Sequence, residues 1–332
     1  MKKRITSSEI RKFFSIIAKS KTMFITGHVN PDADVIGSSL AIYLGIKKTF
    51  RDKKIDICFV EPPKINFNFI PSYNKILFTT KINKKFDLGI IMECSNISRA
   101  GNIIDISQLK RIIKIDHHFN NGDKKEIYDL DIVYPEYASC AEMVFDIFNR
   151  SNKVKFDNEI ALCLYVGLVT DTGMFQWGNT NQFSFYTAMK LLSYGVDPYE
   201  VYKNIYRQRS YNSIILLGKV LSTLEVINLG KKYKVGIIFA TNEMFETTNT
   251  TIKDTEDFVN YPMNVAGVNV GIFLKEQKDG TVRVSLRSDS INVEKIARLW
   301  SGGGHKFAAG ATLNCTIEEA KREIVRTLKS MF

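Results

Sequence analysis

Three continuous apolar stretches of this chain each lead into ionisable residues, and this recurrence most constrains the fold. The stretches and the residues that follow them are Met23–Thr26 with His28–Asp34, Leu88–Met92 with Glu93, and Arg111–Ile115 with Asp116. Strands that are apolar on both faces and alternate with helical segments are typical of a parallel sheet. Ligands of open α/β sheets lie outside the carboxyl ends of the strands. We therefore expect these ionisable groups at one edge of one sheet.

The length of 332 residues indicates about two domains, and the pattern changes along the chain. The first part predicts an α/β domain whose parallel sheet carries helices on both faces, with a first helix that begins at the capping box Thr6–Glu9. Beyond a mostly helical connector, two predicted hairpins indicate a smaller α+β domain. The predicted boundaries are 1–188 for the first domain, 189–218 for the connector and 219–332 for the second domain.

Composition narrows the class of protein. The chain has 46 lysines and arginines against 35 aspartates and glutamates, a formal charge of +11, which favours acidic partners such as nucleic acid or nucleotides. Coding bias accounts for scattered lysines equally well. The five cysteines form no CxxC pair, so they indicate reduced thiols in a cytoplasmic protein. The sequence shows no signal peptide and no apolar stretch of about 18 residues, so a membrane partner is not expected.

Candidate metal ligands follow the apolar segments. They are His28, Asp32, Asp34, Glu93, His117 and Asp171. A helix cap would account for one aspartate of the first loop, but not for a histidine and two aspartates. Imidazole and carboxylate without thiolate suit Mn²⁺, Fe²⁺ or Zn²⁺ in a catalytic site, and the set fits a two-metal hydrolase. An exposed loop remains the alternative for His117 and His118, and Glu93 is weak evidence by itself.

A glycine run near the C-terminus is the second candidate site. Gly302, Gly303 and Gly304 precede His305 and Lys306, and Arg287 lies on the preceding predicted strand. Successive small residues expose backbone N–H groups that bind anions, so the segment is interpreted as a phosphate grip. A flexible turn is the alternative. The run is neither GxGxxG nor a Walker motif.

Taken in order, these segments resemble a known family. HVNPDADVIGS, the Glu93 segment ending in SRAG, DHH at 116–118 and LVTDTG resemble the four motifs of the DHH phosphoesterase superfamily. TEDFVNYP, VSLRS and GGGHKFAAG look like its C-terminal DHH-associated domain. The most similar group is the stand-alone nanoRNase and pAp-phosphatase type, which includes small cyclic-di-AMP and pApA phosphodiesterases.

The resemblance implies a role for each matching residue. Two divalent ions, expected to be Mn²⁺, would be held by His28 and Asp32 on one side and by Asp34, His117 and Asp171 on the other, with Glu93 bridging them. His118 would lie beside the scissile phosphate, and Asp116 would orient a histidine. Arg99, Arg287, Gly302, Gly303, Gly304 and His305 would bind the substrate.

One residue departs from the family pattern. The second motif usually has aspartate where this chain has Glu93, which leaves the metal spacing and preference open, and Asp87 comes too early on the strand to replace it.

The implied function is hydrolysis of very short RNA and linear dinucleotides such as pApA to mononucleotides, with pAp 3′-phosphatase activity as an extension. A cyclic-di-AMP phosphodiesterase of the same fold is the main alternative, and a non-catalytic nucleotide or RNA binder is the alternative from another class. A long-chain exonuclease would need a further domain, and the GGGH segment argues against a family II pyrophosphatase. Whether the chain forms a homodimer is left open.

Overall fold

The computed structural model describes residues 4–118, 127–230 and 232–331, with backbone alone at His305. The chain divides into two compact units between Arg207 and Gln208. This division falls inside the predicted connector 189–218, whose helices are thereby shared between the units. No helix in the described part of the chain is long and apolar enough to span a membrane.

The first unit contains six strands and six helices within the described ranges. The strands are β1 (Thr22–Gly27), β2 (Lys54–Phe59), β3 (Ile76–Phe78), β4 (Leu88–Met92), β5 (Ile112–Asp116) and β6 (Leu130–Val133). The helices are α1 (Ser7–Lys19), α2 (Ala33–Thr49), α3 (Cys140–Ser151), α4 (Asn158–Asp171), α5 (Gln182–Leu192) and α6 (Pro198–Tyr206). The capping box that begins α1 is confirmed, since Thr6 and Glu9 exchange bonds between side chain and backbone.

All six strands form one parallel sheet in the order β3-β2-β1-β4-β5-β6, which confirms the predicted fold class. The central strands β1, β4 and β5 are buried almost throughout, which explains their continuous apolar sequences. Because the strands are parallel, the segments that follow β1, β4 and β5 emerge at the same edge. We call this edge the metal edge.

The two faces of this sheet are covered differently. One face packs against the α-helices in a large core that includes Ile25, Ile90 and Ile113. The other face, which carries Phe24 and Ile91, packs against irregular chain and the short 3₁₀ turns Ile97–Ala100 and Ile106–Gln108. Among the described residues, this second face is therefore covered by short 3₁₀ turns, so the helices predicted on both faces are α-helices on one face alone.

The second unit contains a mixed six-stranded sheet. Its strands are β7 (Glu225–Leu229), β8 (Tyr233–Ala240), β9 (Val270–Glu276), β10 (Val282–Ser288), β11 (Gly303–His305) and β12 (Ala308–Leu313). Its helices are α7 (Tyr211–Leu221), α8 (Asn242–Thr247), α9 (Val293–Arg298) and α10 (Ile317–Met331), with 3₁₀ turns at Ile252–Thr255 and Phe258–Asn264.

The strand order of this sheet is β11-β12-β10-β9-β8-β7. The pairs β7–β8 and β9–β10 are antiparallel, which confirms both predicted hairpins, and β8–β9 is parallel. A separate core forms where α9 and α10 cover one face, with Ile296 and Ile324 fully buried. The glycine run forms the edge strand β11, which the sequence did not predict.

Candidate metal centre

The loop after β1 positions the first pair of candidate ligands. Asp32 is the N-cap of α2, and its Oδ1 accepts hydrogen bonds from the backbone N–H groups of Asp34 (3.0 Å) and Val35 (3.1 Å). Its other oxygen, Oδ2, lies 3.6 Å from His28 Nε2. The capping interpretation is therefore correct for one oxygen of Asp32, and the second oxygen faces the histidine.

Asp34 lies in the first turn of α2, and its carboxylate faces the start of α3. Its carboxylate accepts hydrogen bonds from the backbone N–H groups of Cys140 (2.6 Å) and Ala141 (2.8 Å). Burial and the nearby charge of Asp32 raise the pKa of Asp34 to about 7. A positive charge in this position would therefore stabilise the ionised form of Asp34.

Close packing of α2 against α4 brings Asp34 near the end of α4. A Cβ atom at Gly37 would lie 2.3 Å from the carbonyl oxygen of Cys163, and one at Gly167 would lie 2.6 Å from Asp34 Oδ1. Both helices therefore need glycine at their contact. The last residue of α4 is Asp171, so this contact sets the distance between two candidate ligands.

Glu93 follows β4 in a left-handed backbone conformation, with φ of +56°. Its side chain is buried, and its Oε2 has no hydrogen-bond partner among the described residues. Burial, together with the charges of Asp32 and Asp34, raises the pKa of Glu93 well above its ordinary value. A buried carboxylate with an unpartnered oxygen fits a cation ligand.

His117 lies between two of these carboxylates. Its Nε2 is 3.5 Å from Glu93 Oε1 and 3.3 Å from Asp171 Oδ2, and it has no hydrogen-bond partner among the described residues. Burial, followed by the charge of His118, lowers the pKa of His117 to about 4. Burial and the charge of Asp34 raise the pKa of Asp171 well above its usual range. The imidazole is thus held neutral, the form that binds metals.

Among the described residues, four sets of three donors have ligand atoms within 4.8 Å of one another. Two of these sets are His28, Asp32 and Glu93, and Asp34, His117 and Asp171, which share no residue. A third set of Asp34, Glu93 and Cys140 joins these two, and a fourth contains Glu93, His117 and His118. Burial raises the pKa of the Cys140 thiol, which donates to the carbonyl of Ile115 and remains protonated. The oxygen and nitrogen donors therefore fit two divalent cations that share Glu93.

His118, which belongs to one of these sets, also pairs with Asp116. His118 Nδ1 and the His118 backbone N–H both donate to Asp116 Oδ1, at 2.8 Å and 3.0 Å. Burial raises the pKa of Asp116, but the bonds from His118 outweigh burial and lower it, so the carboxylate is ionised. Since an ionised carboxylate only accepts, Nδ1 carries a proton, which leaves Nε2 of the half-exposed His118 ring for another partner.

Arg99 lies on the 3₁₀ turn that follows Glu93. Its carbonyl oxygen accepts the backbone N–H of Val29 at 2.8 Å, and its charge acts on His28. Asp87, by contrast, lies at the opposite end of β4, bonded to Thr22 and paired with Lys110. The structure therefore brings Arg99 to the metal edge and keeps Asp87 away from it.

The substrate-binding candidates of the second unit lie at one end of its sheet. Arg287 on β10 and His305 on β11 both align with Ala308 of the intervening β12. The Gly302 N–H is already bonded to the carbonyl of Ala297 at 2.9 Å, so it is not free for an anion. The side chain of His305 lies outside the described residues.

The sequence analysis missed two residues that organise the metal edge. Asn179 donates from Nδ2 to the carbonyl oxygens of Asp171 (2.7 Å) and Ala138 (3.1 Å). Ser139 is the N-cap of α3, the helix that binds Asp34, and the Ser139–Glu142 spacing is a capping signal that could have identified it. No local signal marks Asn179.

Two family models match the sequence of this chain. Residues 22–168 match the sequence model described as the DHH family, N-terminal domain, and residues 232–332 match the DHHA1 domain. A relative from Thermus thermophilus, named bifunctional oligoribonuclease and PAP phosphatase NrnA, is 30% identical over 92% of this chain and 89% of its own. The chain belongs to the DHH family.

Other members of the DHH family extend the comparison. The Bacillus subtilis protein of the same name is 24% identical over 88% of this chain and 89% of its own length. A crystal structure of an exopolyphosphatase-related protein from Bacteroides fragilis superposes with a TM-score of 0.85 at 27% identity, covering 100% of this chain and 99% of that one. Among the candidate ligands, Asp171 lies three residues beyond the matched range of the DHH model.

Proposed function

We propose that this DHH-family chain is a two-metal phosphodiesterase that hydrolyses very short oligoribonucleotides and linear dinucleotides to mononucleotides. Removal of the 3′-phosphate of pAp is proposed as a second activity of the same site. The observation that carries the proposal is that three of the four sets of candidate ligands contain Glu93, at the edge where three parallel strands end.

The relatives support the class of substrate. The Thermus thermophilus and Bacillus subtilis proteins carry both activities in their names, and each aligns with this chain over most of its length. Their coverage extends through both units, so the similarity is not confined to the catalytic part. We extend their activities to this chain on that basis.

Two divalent cations, which we propose to be Mn²⁺, would be held by His28, Asp32, Asp34, His117 and Asp171, with Glu93 between them. When bound, such ions activate water and neutralise charge on a phosphoryl group. The chain supplies a neutral His117 and carboxylates whose raised pKa values fall when a cation binds.

His118 is proposed to contact the scissile phosphate. Asp116 accepts a hydrogen bond from Nδ1, which orients the ring, and when the imidazole is protonated on both nitrogens Nε2 would donate to a phosphate oxygen. A donor fixed before the substrate arrives stabilises developing charge without reorganisation. Arg99 is proposed to bind a second phosphate near His28.

The second unit is proposed to bind the rest of the nucleotide. Arg287 is half-buried and bonded to its neighbouring carbonyl, and burial lowers its pKa. No described atom would lie within 4 Å of a Cβ at Gly303, so the backbone of β11 is open to a ligand there. Gly304 and His305 complete the proposed grip, whereas Gly302, whose N–H is bonded to Ala297, would support it only by allowing close packing.

Parallel kinetics test the proposal. Initial rates are measured on pApA, pAp, a five-nucleotide RNA and cyclic-di-AMP, with Mn²⁺ and with EDTA. We expect pApA hydrolysis in Mn²⁺ and none in EDTA. Equal rates in both would contradict the metal role, and fastest hydrolysis of cyclic-di-AMP would contradict the substrate class.

A matched pair of variants tests the site. Asp171→Asn removes a proposed ligand at the C-terminal end of α4, whereas Asp157→Asn changes the N-cap at the other end of the same helix. Asparagine caps helices as well as aspartate. Turnover should collapse in the first variant and persist in the second.

A further inference from the structure

Lys114 is a fully buried lysine in the middle of the parallel sheet, with 0% of its surface exposed. Strand register aligns Thr26 of β1 with Ile91 of β4, Ile91 with Lys114 of β5, and Lys114 with Asp131 of β6. Side chains at aligned positions of parallel strands share a face. Lys114 therefore lies on the face that is not covered by α-helices.

Three contacts surround the ammonium group. Nζ donates to the carbonyl oxygen of Ser95 at 3.3 Å, lies 3.5 Å from Asp131 Oδ1, and sits 4.7 Å from the ring centre of Tyr128. Removing an ammonium group from water is unfavourable unless its contacts compensate. An apolar residue would fill this position of β5 without that cost. The presence of lysine therefore indicates that one of its contacts has a function.

The contact to Ser95 falls on the turn that carries Glu93. Glu93 has φ of +56°, a left-handed conformation that is unfavourable for a residue with a side chain. Its backbone N–H donates to the carbonyl oxygen of Ile115 at 2.8 Å. Strand β5 thus holds the turn at two points: Ile115 binds its beginning and Lys114 binds it two residues later.

We propose that Lys114 is a positioning residue that holds the Glu93 turn in its left-handed conformation and thereby directs the Glu93 carboxylate toward both ligand sets. The inference rests on the proposed function only in that Glu93 binds metal. Lys114 touches no metal and no substrate in this account. It acts through the backbone of Ser95.

The chain offers a matched control. Lys53 is also buried, with 6% of its surface exposed, and its Nζ also donates to a backbone carbonyl, that of Ala18, at 2.9 Å. Its other contacts are Asp52 and the ring of Phe50, none of which belongs to the metal edge. Lys53→Met therefore reproduces the loss of a buried ammonium without affecting the Glu93 turn.

The test compares Lys114→Met with Lys53→Met in the full chain. Mn²⁺ dissociation constants are measured by calorimetry on metal-stripped protein, and backbone hydrogen exchange is measured at Cys94–Asn96. We expect Lys114→Met to bind Mn²⁺ about tenfold more weakly, as expected for loss of a group that orients a ligand. Exchange at the turn should be faster in Lys114→Met alone. Lys53→Met should stay within twofold of the wild type on both measurements.

Two further variants keep the inference decidable. Lys114→Arg retains a cationic donor and should bind Mn²⁺ within threefold of the wild type. If Lys114→Met does not fold, the double variant Lys114→Met/Asp131→Asn also removes the charge of Asp131, which would otherwise lack its ion-pair partner. The same measurements are then made on the double variant.

The inference would be overturned, and the proposed function left intact, if Lys114→Met changed neither Mn²⁺ affinity nor hydrogen exchange. The same holds if Lys53→Met changed both to the same extent as Lys114→Met. Failure of all three Lys114 variants to fold would also overturn it, because a role confined to one turn leaves the fold intact. A wild-type chain that binds no Mn²⁺ would instead overturn the proposed function.

Discussion

The metal edge of the first unit and the glycine strand β11 of the second unit are proposed to bind charged groups in different ways, one through side chains and the other through backbone. At the metal edge, ionisable side chains converge from the segments after β1, β4 and β5 and from α2 and α4. Asp32 is exposed, but burial and then like charges raise the pKa values of Asp34, Glu93 and Asp171. At β11 the proposed binding element is backbone, and its glycines also belong to the folded sheet.

The two sites therefore differ in what opposes folding there. The carboxylates of the metal edge disfavour the metal-free fold at neutral pH, because ionisation places like charges together without a cation. The glycine strand carries no such charge, and its constraint is steric. Substitutions at the metal edge should therefore lower activity more than stability. Most substitutions in β11 should lower stability more than activity.

Glu93→Gln should give the largest effect. Glutamine matches the protonated glutamic acid in shape, so the chain should fold normally, but it removes the charge shared by both ligand sets. Turnover of pApA should fall about 10³-fold, since metal stabilisation of a phosphoryl transition state amounts to several kcal/mol. A fall of less than tenfold under saturating Mn²⁺ would contradict the central position of Glu93.

Glu93→Asp tests how closely the site is built around the longer side chain. Aspartate tolerates left-handed backbone well, so the melting temperature should hold. The carboxylate would retract by one methylene, and turnover should fall about 10²-fold from misplacement alone. Unchanged turnover would mean that the geometry accommodates either acid.

Gly302, which precedes β11, and Gly303, its first residue, separate folding from binding in the second unit. Alanine at Gly302 would place Cβ 2.3 Å from the carbonyl oxygen of Gly310, so Gly302→Ala should lower stability by about 1–3 kcal/mol, measured by denaturant unfolding. Gly303→Ala meets open space and should leave stability unchanged. Its KM for pApA should rise about tenfold, the loss of one good phosphate contact. An unchanged KM would exclude β11 from the grip.

The pH dependence of stability should give the smallest effect. The pKa of Asp34 in the folded chain is about 7, above its ordinary 3.8, so the folded state binds the proton more tightly than the unfolded state. Stability of the metal-free chain from this group is therefore lost as pH rises from about 4 to 7. Mn²⁺ should raise the melting temperature by several degrees more at pH 7.5 than at pH 5.5, and less so in Glu93→Gln. An equal rise at both pH values would contradict this linkage.

Much of the fold could be predicted because its central strands are buried on both faces. Strand β4 matches its predicted range, Leu88–Met92, since its apolar run has clear ends. The edge strands β3 and β6 were missed because they are short and partly exposed. Strand β11 was missed because glycine disfavours strands, and only pairing with β12 makes this segment extended.

The site shows the same division. Each candidate ligand follows a buried element, so topology alone could predict their convergence. The bonds from α3 to Asp34 and the close contact of α2 with α4 depend on tertiary packing that no local pattern reveals. Lys114 interrupts an otherwise apolar strand, a signal that could have identified it, but its contact with Ser95 appears only in three dimensions.

Anomalous diffraction at the manganese edge, from crystals grown with Mn²⁺, would show directly whether Glu93 contacts two ions. We expect two anomalous peaks at the metal edge, one beside His28 and Asp32 and one beside Asp34, His117 and Asp171, with Glu93 in contact with both. A single peak, or peaks that do not involve Glu93, would contradict it.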